Sequence, residues 1–188
     1  MTDPIPRERD FLFLLGSARH GGNAEFLAQR MALTLGARDS YRFLRLDDYP
    51  LPAFRDIRHD VGVYPQPAGN ERELAEATLA ATDIVIAAPL YWYSVPATVK
   101  LYLDYWSAWM RVPGLDFKQS MAGKRLRAIC VVSDDDFAAA EPFVRTLELT
   151  ADYMAMEWGG VLMGAGNRPG DVARDARAVA EAERFLLA

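Results

Sequence analysis

Residues 11–23 read FLFLLGSARHGGN, and this stretch decides the fold of the chain. Its first five residues are continuously apolar, which is typical of a strand buried on both faces of a parallel sheet. The next eight contain three glycines and lead into a helical pattern. A buried strand, a glycine-rich loop and a helix in direct succession predict the first unit of an α/β domain.

Four more apolar runs follow, and helical patterns separate them. The runs predict strands at residues 41–46, 84–88, 128–132 and 160–163, of which the last is the shortest. Helical spacing predicts helices from Asn23 to Leu35, over 71–81, over 97–110, from about Pro142, and from about Asp171 to the C-terminus. One helix per strand predicts a parallel sheet with helices on both faces.

The second run indicates the order of the strands. Residues 41–46 carry Arg42 and Arg45 among apolar side chains, and such a mixed strand suits a sheet edge. With right-handed crossovers, a buried first strand and an edge second strand favour the order 2-1-3-4-5. We therefore expect one α/β domain over residues 1–188 with a five-stranded parallel sheet.

Composition excludes several classes of protein. The chain has 188 residues, 51% of them hydrophobic and 25% charged, with a formal net charge of −5. Its scattered, mildly acidic charge does not suggest a nucleic-acid binder, and no apolar run reaches the length of a membrane helix. The polar N-terminus lacks a secretory h-region, so a cytoplasmic location is the default. The single cysteine, Cys130, excludes an internal disulfide and a multi-cysteine metal site, and we expect it to be an inert core thiol.

The loop after the first strand has the features of a phosphate site. A helix N-terminus offers free N–H groups and partial positive charge, and glycines let the backbone curl towards an anion. Arg19 can pair with phosphate oxygens, and Ser17 and Asn23 add donors. The loop lacks the endings of a Walker A motif and of a dinucleotide fingerprint. The alternative is a plain strand–helix turn with Asn23 as the helix cap.

The loop after the third strand, residues 89–96, reads PLYWYSVP. In the order 2-1-3-4-5, strands 1 and 3 are neighbours at the switch point, where such sheets bind ligands. A ligand with its phosphate on the first loop would reach its ring system to this one, where Tyr91, Trp92 and Tyr93 offer flat faces. The alternative is that these aromatics close the core or an interface.

Together the motifs point to a known group of proteins. The segments GSARHGGN and APLYWYSVPATVKLYLD, and the late segment GVLMGAGNRPGD, resemble the NADPH-dependent FMN reductase and NAD(P)H quinone reductase group of flavodoxin-like proteins. The resemblance implies a flavodoxin-like fold, FMN as cofactor and NAD(P)H as co-substrate. It also implies a small-molecule electron acceptor, such as a quinone, a nitro or azo compound, or a flavin.

The resemblance implies cofactor-binding residues in the two loops, and no metal. In this group the first loop binds the FMN phosphate and the second lies against the flavin ring. The implied phosphate contacts are Ser17, Arg19, Asn23 and the N–H of Ala24, and the implied ring contacts are Pro89, Leu90, Tyr91, Trp92 and Tyr93. Lys100 and Asp104 match helix positions of the group that carry no assigned role. No catalytic side chain is expected, because the flavin carries the chemistry.

The sequence departs from the group at two places. Ala24 stands where relatives often have a hydroxyl residue, which removes one phosphate donor. The loop after the fourth strand, residues 133–137, reads SDDDF where many relatives have glycines. Ser133 or the N–H of Asp134 could still serve the flavin's pyrimidine edge. The acidic cluster itself favours a solvated turn, since charge clusters usually face water.

The helix over 97–110 has a second aromatic set besides its apolar face, formed by Tyr102, Tyr105 and Trp109. A helix that is apolar on more than one side is buried on more than one side. We therefore expect a homodimer or homotetramer in which this helix takes part. The alternative is deep burial under the proline-bearing segment 47–69.

Two other functions stay open at this point. The first is a non-enzymatic flavodoxin-type electron carrier, although such carriers are usually more acidic and have no arginine in the phosphate loop. The second is a flavin-free relative that keeps the fold for binding or regulation.

Overall fold

The computed structural model, which describes residues 8–186, contains one sheet of five parallel strands. The strands are β1 (Asp10–Leu15), β2 (Ser40–Arg45), β3 (Asp83–Pro89), β4 (Arg125–Val132) and β5 (Glu157–Ala165). Their order across the sheet is β2-β1-β3-β4-β5, and every neighbouring pair is parallel. The predicted fold class and strand order are confirmed, and β2 lies at an edge.

Helices connect the strands. They are α1 (Asn23–Ala32), α2 (Asn70–Ala80), α3 (Ala97–Trp109), α4 (Phe117–Met121), α5 (Glu141–Tyr153) and α6 (Ala176–Ala182). Short 3-10 turns lie at Leu46–Asp48, Phe137–Ala140 and Asp171–Arg174. Within residues 8–186, no helix is both long and apolar enough to cross a membrane.

The helices cover both faces of the sheet. One face packs against α1 and α6 through side chains such as Leu27, Met31 and Ala178. The other face packs against α2, α3, α4 and α5 in a larger cluster. Strands β1, β3 and β4 are buried on both faces, which explains their continuous apolar runs.

Two helices differ in their ends from the sequence-based prediction. The first helix ends at Ala32 instead of Leu35, since the N–H groups of Thr34 and Leu35 bond three residues back and tighten the chain into a turn. The last helix does not begin at Asp171. A 3-10 turn comes first, and the Asp175 side chain then accepts a hydrogen bond from the Ala178 N–H and caps a separate α6. Helix α6 ends at Ala182 and residues 183–186 form a turn, so the predicted continuation to the C-terminus is wrong over these residues, while its part beyond residue 186 lies outside the described residues.

The fifth strand was predicted to be the shortest and is the longest, with nine residues. Glycines interrupt its apolar pattern and made the strand hard to recognise. They serve close packing, since a Cβ at Gly159 would lie 2.6 Å from Cγ of Arg127, and one at Gly164 would lie 2.8 Å from Cδ1 of Leu27. The glycines that weaken the apolar pattern of β5 are therefore the residues that allow side chains of β4 and α1 to pack closely against it.

The aromatic set on α3 is buried within the chain, so the expected subunit contact through this set has no support. Tyr102 and Trp109 are fully buried and Tyr105 is 8% exposed. The Tyr105 hydroxyl donates to the Pro52 carbonyl, and Trp109 Nε1 donates to Glu71 Oε1. The alternative holds for Tyr105, which contacts Pro52 and Phe54 of segment 47–69, whereas Tyr102 and Trp109 contact α2 instead.

Candidate functional site

A cleft with a cavity volume of about 150 Å³ opens at the carboxyl ends of β1, β3, β4 and β5. This is the position at which open α/β sheets bind ligands. Eight of the ten residues predicted to bind a cofactor line it: Ser17, Arg19, Asn23, Ala24, Pro89, Leu90, Tyr91 and Ser133. The cleft therefore brings together the first loop, the third-strand loop and the end of β4.

The first loop is tightly built. The N–H of Gly16 donates to the Ala87 carbonyl of β3, and a Cβ on Gly16 would lie 2.3 Å from Cγ2 of Val99 in α3. The Ser17 side chain is 6% exposed, and its Oγ accepts a hydrogen bond from the Arg19 N–H. These contacts hold the start of the loop against both β3 and α3.

The end of the loop leads into the N-terminus of α1. Gly21 has a positive φ of 62°, a conformation that glycine adopts at low cost. Gly22 precedes the helix, and no side chain caps it. An uncapped N-terminus leaves backbone N–H donors and partial positive charge at the cleft, where an anion is favoured.

Asn23 lines the cleft with its side chain and also makes hydrogen bonds that the sequence did not predict. It occupies the first helical position, so the suggestion that it caps α1 is wrong. Its Nδ2 donates to the carbonyls of Gly166 and Arg168, and its Oδ1 accepts from the Gly170 N–H. The side chain joins α1 to the segment that follows β5.

That segment forms a fourth wall of the cleft, which was missing from the predicted site. Gly166, Asn167 and Pro169 line the cleft together with Gly22 and Val131. This wall could have been predicted from the late segment GVLMGAGNRPGD, because these three residues lie within it. A Cβ on Gly166 would lie 2.8 Å from Nδ2 of Asn23, so the tether requires glycine there.

The third-strand loop is a tight hairpin beside the cleft. Tyr91 and Ser94 exchange both backbone hydrogen bonds, with N–O distances of 3.2 and 3.0 Å. Trp92 and Tyr93 lie between them at φ angles of 48° and 62°. They are 93% and 61% exposed, and they stand at the hairpin tip, outside the lining of the cleft.

Positive φ at two successive residues is the geometry of a turn that usually carries Asn-Gly. For other residues this region costs about 1–2 kcal/mol per residue. Backbone strain of this kind clusters at ligand sites. The hairpin therefore presents two large aromatic side chains to solvent at an energetic cost.

The loop after β4 forms the expected solvated turn. Asp134, Asp135 and Asp136 are exposed, and Oδ1 of Asp134 accepts a hydrogen bond from the Asp136 N–H. Ser133 lines the cleft ahead of this turn.

Three further candidates lie outside the cleft lining. Lys100 and Asp104 form an ion pair one turn apart on α3. Cys130 is buried in β4, and burial raises the pKa of its thiol to about 12, so it stays protonated and unreactive at neutral pH.

Comparison with known proteins assigns the chain to a family that has the same fold. A family model described as flavodoxin-like fold matches residues 9–186. The chain belongs to this family. The resemblance noted in the two loops is thereby confirmed.

Members of the family with known names are similar over most of the chain. The chain is 33% identical over 172 residues to a protein of Bacillus subtilis (strain 168) named as an NAD(P)H-dependent FMN-containing oxidoreductase, YwqN. The match covers 91% of this chain and 93% of that relative.

Solved structures of the family superpose on the same fold. The structure of the Trp repressor binding protein from Bacillus subtilis has a TM-score of 0.73 and 30% identity, covering 94% of this chain and 97% of that one. An FMN-dependent NADH-azoreductase from Bacillus anthracis str. Ames Ancestor, solved in complex with FMN, has a TM-score of 0.66 and 13% identity, covering 94% and 96%. The second likeness shows the fold alone.

Proposed function

We propose that this protein is an FMN-containing oxidoreductase that takes electrons from NADPH or NADH and passes them to a small acceptor. A quinone, a nitro or azo compound, or a flavin has the chemistry required of that acceptor. The observation that carries the proposal is the cleft, which joins a phosphate-type loop to a hairpin of flat side chains. The name of the Bacillus subtilis relative supports the same activity.

The residues of the cleft fit FMN. A phosphate needs donors, and the first loop supplies the Ser17 hydroxyl, the Arg19 guanidinium and the uncapped N-terminus of α1. A Cβ on Gly22 would lie 3.3 Å from Oγ of Ser17, so glycine keeps that hydroxyl accessible.

Each wall of the cleft has a part in this proposal. Ser17, Arg19 and the N–H of Ala24 bind the phosphate, and Asn23 holds the segment after β5 in place. Pro89, Leu90, Tyr91 and Ser133 contact the ring system, while Trp92 and Tyr93 flank its open side. When bound, FMN supplies the acceptance and donation of a hydride.

The side chains bind and orient the reactants, and none is assigned a proton transfer. The first loop carries no dinucleotide fingerprint, so the nicotinamide has no separate site of that type. We propose that nicotinamide and acceptor use the same opening in turn, beside the exposed faces of Trp92 and Tyr93. Such an arrangement requires ping-pong kinetics.

Steady-state kinetics test this function. The FMN-loaded protein should oxidise NADPH or NADH in the presence of a quinone, an azo dye or free flavin. Double-reciprocal plots at several acceptor concentrations should be parallel. Intersecting lines would contradict the shared opening, and the absence of turnover with every acceptor class would contradict the enzyme.

We also propose that the protein forms a homodimer or homotetramer, with Trp92 at the hairpin tip as the contact. Tyr91, Trp92 and Tyr93 are 41%, 93% and 61% exposed, and clustered exposed aromatics mark interaction sites. Gel filtration should give a mass above that of one chain, and a monomer at micromolar concentration would contradict the assembly.

A further inference from the structure

The side chain of Arg45, at the end of β2, lies behind the first loop and is 7% exposed. Its Nη1 donates to the carbonyls of Ser17 and Arg19, at 3.3 and 2.9 Å. Its Nη2 donates to Oε2 of Glu25 at 2.6 Å. One buried guanidinium therefore contacts the loop at two points and the first turn of α1 at a third.

These contacts fix the orientation of two peptide units in the loop. The C=O and N–H of a trans peptide unit point in opposite directions. Binding the Ser17 carbonyl inward therefore turns the Ala18 N–H outward, and binding the Arg19 carbonyl turns the His20 N–H outward. Residues 18–20 are exposed, so the N–H groups of Ala18 and His20 face away from the core, while the Arg19 N–H donates to Ser17 Oγ.

Arg45 also offsets a charge that would oppose an anion. Glu25 lies in the first turn of α1, and its Oε2 also accepts a hydrogen bond from the Gly21 N–H at 2.8 Å. A carboxylate at this helix end repels a phosphate, and partial burial weakens solvent screening of that repulsion. The pairing with Arg45 neutralises Glu25 and leaves the positive helix terminus available.

We propose that Arg45 is a positioning residue for the phosphate loop, which braces two loop carbonyls from behind and neutralises Glu25, so that the loop selects the phosphorylated flavin. This inference rests on the proposed FMN site. Arg45 does not line the cleft, so its effect passes through the loop and through Glu25.

The test compares the binding of FMN with that of riboflavin, which lacks the phosphate. Dissociation constants are measured by flavin fluorescence for the wild type, R45M and R42M. Arg42 is an exposed residue of the same strand and provides the matched control. Removing outer residues that orient ligating groups costs about 10–100-fold in metal affinity. By analogy we expect R45M to weaken FMN binding at least about tenfold while riboflavin binding changes less than about twofold.

A second variant separates the two roles of Arg45. In R45M/E25Q the repelling carboxylate is gone but the loop stays unbraced, so FMN affinity should lie between those of R45M and the wild type. A double variant that binds FMN more weakly than R45M would contradict the charge argument. If R45M does not fold, R45K provides the same comparison. Lysine keeps the charge but lacks the fixed fork, so the FMN preference should fall by a smaller factor.

A third measurement needs no flavin. Amide hydrogen exchange of Arg19 and Gly21 in the cofactor-free protein should be faster in R45M and unchanged in R42M. Unchanged exchange in R45M, or equal losses of FMN and riboflavin affinity, would overturn the inference. A wild type that binds neither flavin would instead overturn the proposed function, while the exchange experiment would still test the brace.

Discussion

Glu71 is a carboxylate that is half buried beside α3, where its Oε1 accepts a hydrogen bond from Trp109 Nε1 at 2.9 Å. Burial raises the pKa of Glu71 above its ordinary value of 4.5, against a smaller lowering by that hydrogen bond. The unfolded chain therefore releases this proton at a lower pH than the folded protein. The contribution of Glu71 to stability is largest at acidic pH and is lost as pH rises through its raised pKa.

We predict that E71Q is more stable than the wild type at neutral pH. Glutamine keeps an acceptor for Trp109 and carries no charge to bury, so the advantage should shrink towards pH 4. Thermal unfolding across this pH range measures the difference. E73Q, on an exposed position of α2, is the control and should show no such pH dependence. A wild type that gains stability relative to E71Q as pH rises would contradict the sign.

At the residue scale, the parts of the site that could be predicted are those that depend on local sequence. Ser17 and Arg19 follow β1 directly, and a loop in that position leads to the cleft whatever its tertiary partners are. Asn23 was placed correctly, but its hydrogen bonds reach residues more than 140 positions away. Arg45 was placed correctly on the edge strand, but its burial could not be predicted, because its partners come from another segment of the chain.

At the scale of elements, the hairpin after β3 has the most unusual backbone. Trp92 and Tyr93 both have positive φ, and Tyr93 is 61% exposed, so little packing offsets its strain. We predict that Y93G stabilises the cofactor-free protein by about 1 kcal/mol. Relief of about 1–2 kcal/mol of strain exceeds the entropic cost of glycine, about 0.5–1 kcal/mol.

Urea denaturation of the cofactor-free protein measures this change. Y91G is the matched comparison, because Tyr91 belongs to the same hairpin without a positive φ, and it should destabilise. If Y93G destabilises as much as Y91G, the backbone at Tyr93 carries no strain. Under the proposed function, Y93G should also raise KM for the acceptor, since it removes one flat face beside the opening.

Element boundaries could be predicted where hydrophobic period and turn residues agree. Helix α5 has its proline in the first turn as expected, and α3 was placed to within one residue. The five-residue α4 was not predicted, because one turn carries too little periodic pattern. Strand β5 was underestimated because its glycines serve packing against neighbouring side chains.

At the scale of the molecule, the carboxyl ends and the amino ends of the strands carry different features, a binding cleft and a buried charge cluster. The carboxyl edge carries the cleft, while the amino edge carries a charge cluster of Arg9, Asp83 and Arg127. Burial opposes ionisation of Asp83, but hydrogen bonds and charges from its arginine partners outweigh this effect and lower its pKa. The strand order that creates both edges followed from strand–helix alternation, crossover handedness and the contrast between a buried first strand and a mixed second strand, so it could be predicted in full.

We predict that D83N lowers the stability of the protein and leaves its affinity for FMN unchanged. D83N removes a carboxylate that is buried and paired with both Arg9 and Arg127, and breaking a buried ion pair costs about 3–5 kcal/mol. FMN affinity should not change, because the cluster lies at the opposite edge. E157Q breaks the exposed Arg125 pair at the same edge and should cost less than about 1 kcal/mol. A loss of FMN affinity in folded D83N would contradict this division.

The most direct test of the account is the absorption spectrum of the purified protein after incubation with FMN and desalting, followed by anaerobic addition of NADPH or NADH. The account predicts that the flavin bands are retained and that at least one nucleotide bleaches them. Retained bands that neither nucleotide bleaches would contradict the oxidoreductase and favour an electron carrier. A protein that retains no flavin would contradict the assignment of the cleft itself.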